Sequence, residues 1–164
     1  MSEITRRPSR FGIAVAGGFA LLSLAVTAVV AQTAAAVSGL GLVVLAVGLL
    51  RGSRRLVTNG GGVLLVGVLY AGYTGAPPLL VLVGALMGVL AWDAASNAIS
   101  VGEQLGTESS TARGETVHVT SSFLVGMLAV AVGYAVYLAA AGRQPIAAVF
   151  LLVVGAIALV NALR

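Results

Sequence analysis

From Phe11 to Ala31 the chain runs 21 residues without a charge. The hydrocarbon core of a bilayer is about 30 Å thick, and a helix rises about 1.5 Å per residue, so roughly 20 apolar residues cross it. A run of this length is predicted to be a membrane span. Gln32 and Thr33 interrupt it, and apolar residues then resume through Leu50. A single helix over both runs would be about 60 Å long, twice the bilayer, so the chain must turn near 32–38. Composition agrees: charged residues make up 9% of the chain and mean hydropathy is +1.08, whereas a soluble domain carries about 25% charged residues.

The remaining punctuation divides the chain into an all-α integral membrane bundle. Six transmembrane helices are expected at about 11–31, 35–50, 56–73, 79–99, 117–137 and 146–163. They form three hairpins in one multi-pass domain, 1–164, with a polar cytoplasmic loop at 102–116. Gly75 followed by Pro77 and Pro78 ends one helix and pre-sets the next. Gly142 to Pro145 does the same later in the chain. A basic start before an apolar run also describes a signal peptide. Signal h-regions run about 7–15 residues, so the longer first run is read as a retained helix.

All nine basic residues are arginine. With the N-terminus inside, Arg6, Arg7, Arg10, Arg51, Arg54, Arg55, Arg113 and Arg164 are cytoplasmic and only Arg143 is outside. The positive-inside rule therefore puts both termini in the cytoplasm. Tyr70, Tyr73, Tyr134 and Tyr137 then fall at the outer ends of spans, where an apolar ring with a polar hydroxyl sits well. The arginines Arg6, Arg7, Arg10, Arg51, Arg54 and Arg55 are read as cytoplasmic anchors. A cell-membrane location follows.

The stretch Ala91–Ser122 is different in kind. It holds four of the five acidic residues, the single Trp and the single His. Asp93 is the only acidic residue inside an expected span, and a carboxylate there costs on the order of 3 kcal/mol if it faces lipid. Asp93, Asn97, Ser100 and Gln104 recur at helical spacing, and Glu115, His118 and Ser122 answer on the next helix. By depth, Asp93 meets Ser121 or Ser122, and Asn97 meets His118. Two readings follow. Asp93, Asn97, His118, Ser121 and Ser122 form either a protonatable relay near the cytoplasmic face or a hydrogen-bonded seam joining two helices. The seam is preferred, because no charged partner is expected at the depth of Asp93.

Small residues carry close helix packing in lipid. Gly62 and Gly67 on the third helix are expected to cross Gly84 and Gly88 on the fourth. No cysteine is present, and one histidine cannot supply the imidazoles of a typical catalytic zinc site. HExxH, GxSxG and Walker A signatures are lacking. No catalytic residue, metal site or cofactor is expected. The expected partners are the lipid bilayer and either other membrane proteins or a second copy, with no nucleic acid.

ITRRP near the start, RGSRR at 51–55, AWDxxxNAI at 91–99, GEQLG at 102–106 and the final hairpin resemble a family of small uncharacterised multi-pass membrane proteins from haloarchaea. The resemblance covers most of the chain and implies a polytopic membrane protein, with no activity to carry over. Two roles remain open. One is a non-enzymatic subunit or scaffold of a membrane assembly. The other is a small transporter or permease using Asp93 as a coupling carboxylate. The scaffold is favoured, since an ion pathway usually needs polar groups at successive depths.

Overall fold

The computed structural model describes residues 8–105 and 112–140, with the side chains of Leu105 and Ala140 excepted. The described residues form five helices: α1 (Arg10–Ala28), α2 (Gln32–Arg51), α3 (Arg54–Tyr73), α4 (Pro78–Leu105) and α5 (Ala112–Ala140). Each is long and apolar enough to cross a membrane. The expected sixth helix at 146–163 lies outside the described residues. The expected loop at 102–116 is shorter than its polarity suggests, because α4 continues to Leu105 and α5 already begins at Ala112. α4 has 28 residues, about 42 Å of helix, so its last turns pass well beyond the expected end at Ile99.

Short turns impose alternation of direction. At the α2–α3 turn Gly52 takes φ 62, a left-handed conformation costly for residues with a Cβ. Its N–H bonds to Leu49 O at 3.2 Å, and Ser53 N–H bonds to Gly48 O at 2.8 Å. This double closure is a Schellman motif, which satisfies carbonyls the helix end leaves open. The α3–α4 turn repeats it with Gly75 at φ 101, Gly75 N–H to Gly72 O at 3.1 Å and Ala76 N–H to Ala71 O at 3.0 Å. Pro77 and Pro78 follow. At the start of α1 the Ser9 hydroxyl caps the Gly12 N–H at 3.0 Å, and Ser53 caps α3 at Leu56.

The chain divides into two compact units, residues 1–130 and 131–164. In the first, α1 to α4 form a bundle in which α2 lies along α3, and α1 along α4. Its core is Ala16, Ala20, Leu45, Leu49, Val57, Leu64, Ala91, Ala94, Ala95, Ala98 and Ile99. The many alanines let the axes approach closely. The α2–α3 crossing is closer still. A Cβ placed on Gly41 would lie 2.6 Å from Leu64 N, and one on Gly48 2.7 Å from Val57 N. Gly60 abuts the Leu45 backbone, and Gly67 abuts Ser38 and the Ala34 carbonyl. Of the second unit, residues 131–140 are described; there Tyr134 and Tyr137 stack with ring centroids 6.2 Å apart.

The glycine pairing differs from the expectation. Gly67 faces α2 rather than α4, and Gly62 is exposed with nothing near its Cβ position. At 100° per residue, Gly60 and Gly67 share one face, while Gly62 points away from it. Gly84 and Gly88 line a groove that takes side chains of two helices. Gly84 meets Val26 of α1 and Val68 of α3; Gly88 meets Leu65 of α3 and Ser23 of α1.

Candidate functional site

Polar side chains gather at the end of the bundle that carries Arg10, Arg51 and Arg54, where α1 and α3 start and α2 and α4 finish. At the deepest level, Asp93 of α4 receives two partners from α5 on one oxygen. His118 Nε2 lies 2.9 Å from Asp93 Oδ2, and Ser122 Oγ donates to the same oxygen at 2.9 Å. The Asp93 side chain is 33% exposed and that of His118 40%. With Nε2 protonated, His118 donates. His118 and Ser122 lie four residues apart on one face of α5, so a single helix rotation delivers both.

Nearer the bundle end, Glu115 is buried, at 3% exposure. It accepts from the Ser9 hydroxyl. Ser9 also receives the Gly12 N–H, so one hydroxyl caps α1 while donating to α5. Ser9 N–H reaches Ala98 O at 3.3 Å, and a Cβ on Gly12 would lie 2.9 Å from Glu115 Oε2 and 2.5 Å from the Ala98 Cβ. Three helices therefore converge at Gly12. On the other flank of α4, Arg54 Nη2 donates to Ser100 Oγ at 3.0 Å and to Glu103 Oε2 at 2.8 Å. Both partners of this ion pair are about half exposed, a setting in which such pairs contribute about 0–1 kcal/mol. Trp92 Nε1 approaches Thr58 Oγ1 at 3.4 Å.

The five residues expected to share a seam are divided. Asp93, His118 and Ser122 are brought together. Ser121 is exposed, and Asn97 is half-buried without a side-chain hydrogen bond among the described residues. Of the expected anchors, Arg54 is committed to α4, and Arg10, Arg51 and Arg55 are exposed. Arg6 and Arg7 lie outside the described residues. Ser9 was hidden in a polar N-terminal tail. Its signal was an N-cap type residue directly before the apolar run.

Ser122 donates to the carboxylate rather than to His118, so the cluster is not the serine–histidine pair of a hydrolase triad. No group of three metal-ligating side chains occurs among the described residues. What the cluster can do is hold helices together, or hold a proton between Asp93 and His118. Toward the other end of the bundle, two buried hydroxyls bond to backbone carbonyls. Ser23 donates to Gly84 O at 3.0 Å, joining α1 to α4, and Thr27 donates to Leu24 O at 2.8 Å.

Residues 6–160 match the model of a family of unknown function, DUF7519. No curated protein and no solved structure gives a match.

Proposed function

The chain belongs to DUF7519, a family of unknown function, and from its geometry we propose a multi-pass protein of the cell membrane that serves as a non-enzymatic subunit or scaffold. The arginine-bearing end faces the cytoplasm, as the positive-inside rule requires. The observation that carries the scaffold reading is the distribution of polar contacts. Carboxylate contacts concentrate at one end and fasten helix to helix, while the buried polar side chains farther along the described bundle, Ser23, Thr27 and Ser38, are small uncharged hydroxyls. A conduction path would need polar groups at successive depths facing a shared space.

One observation favours the alternative of a small transporter: Asp93 and His118 are two titratable groups in contact. Purified protein in proteoliposomes separates the readings, using an imposed pH gradient and a pH-sensitive dye. A scaffold leaves the gradient intact and co-purifies with a partner at fixed stoichiometry, which Asp93→Asn does not change. Gradient collapse by wild type and not by Asp93→Asn would replace the scaffold with a proton-coupled carrier.

A further inference from the structure

An apolar groove of about 230 Å³ runs between α1 and α2. Ile13, Gly17 and Leu21 line it from α1, and Leu42, Leu45 and Leu49 from α2, with Leu50 at its rim. Ile13 and Leu21 are eight steps apart, about 12 Å along the helix. One leaflet of hydrocarbon is about 15 Å deep, so the groove extends from the arginine end almost to mid-membrane. Arg10 lies seven residues before Gly17, on the same face of α1, and Arg51 ends α2 one residue beyond Leu50. Both are exposed and neither forms an ion pair or side-chain hydrogen bond among the described residues, in contrast to Arg54.

A lipid-facing surface ordinarily needs no groove, and a topology-setting arginine needs no particular neighbour. Here a groove almost one leaflet deep lies on the face of α1 that carries Arg10, with Arg51 at the adjoining end of α2. We propose that this groove is a binding site for one anionic phospholipid of the inner leaflet, with an acyl chain lying along Gly17 and the phosphate held by Arg10 and Arg51. Guanidinium groups suit phosphate oxygens through charge-assisted, forked hydrogen bonds. Gly17 keeps the slot open: a Cβ there meets no atom within 4 Å, so the space beside it is available to a chain. The proposal rests on the membrane reading given above.

The test is native mass spectrometry of the full chain released from detergent micelles doped with phosphatidylglycerol or phosphatidylcholine. Wild type is expected to retain one phosphatidylglycerol in preference to phosphatidylcholine. Gly17→Phe fills the groove and is expected to abolish retention of both. Gly18→Phe is the control, since Gly18 also has open space at its Cβ but does not line the groove; it should bind as wild type. Arg10→Gln with Arg51→Gln is expected to weaken phosphatidylglycerol retention on the order of tenfold, while Arg55→Gln leaves it unchanged. Equal retention by Gly17→Phe and wild type overturns the site, as does indifference to the loss of both arginines. A dimeric wild type that Gly17→Phe converts to monomer, with no change in lipid, would assign the groove to a second copy instead. Release of the protein from membranes by alkaline carbonate without detergent would sink the membrane reading itself, an outcome separate from any of these.

Discussion

Asp93 concentrates two donors on one carboxylate oxygen, and that geometry decides how its variants behave. Asparagine keeps an oxygen that can accept from both His118 and Ser122; leucine leaves both without their partner in a part-buried site. Asp93→Asn is expected to unfold in detergent close to wild type, and Asp93→Leu at a clearly lower temperature. A double-mutant cycle between Asp93→Ala and Ser122→Ala should give a coupling of about 0.6 kcal/mol, the usual size between membrane helices. Zero coupling would show that the short distance carries no energy. Helix rise brings Asp93 level with Ser121 and Ser122 from sequence alone. It does not supply the rotation of α5 that exposes Ser121 and turns Ser122 inward. Nor does level decide between Asp93 and Asn97 as the partner of His118; a carboxylate oxygen is the stronger acceptor. The contact from Ser9 to Glu115 spans 106 residues, and no local pattern points from one to the other.

At the scale of elements, α2 and α3 share the most extensive helix–helix contact among the described residues. Gly41 and Gly48, like Gly60 and Gly67, are seven residues apart, so each pair lines one face. Gly60→Ala would place a methyl against the Leu45 backbone, which cannot rotate away as a side chain could. It is expected to lower the thermal midpoint in detergent markedly. Gly62→Ala meets nothing within 4 Å and should be neutral or mildly stabilising, since alanine is the better helix former by about 1 kcal/mol. Equal effects of the two would contradict this seam. The sequence announces the helices through run length and the turns through Gly52, Gly75 and the paired prolines. It does not announce which glycines meet. In a chain with 22 glycines, small-xxx-small spacings arise by chance, and only the packed bundle separates Gly60 from Gly62.

For the molecule as a whole, orientation is the property with the widest consequences, because it assigns the polar cluster and the arginines to one compartment. The chain has no cysteine, so introduced thiols report cleanly. Thr74→Cys, in the α3–α4 turn, is expected to react with an impermeant maleimide added outside intact cells. Arg51→Cys, at the end of α2, should react only after permeabilisation. The opposite pattern would invert the topology. The way the helices pair also bears on how the chain is assembled at the ribosome. α2 and α3 are consecutive and joined by a two-residue turn, so they can close on each other as soon as both have emerged. α1 has a different schedule. Its long partner is α4, and the Ser23 hydroxyl finds its acceptor on Gly84 only 61 residues later. Until α4 is synthesised, the small-residue face of α1 and that hydroxyl wait without their final neighbours, so the order of translation makes α1 the earliest made of the five described helices and one of the last to be locked in place.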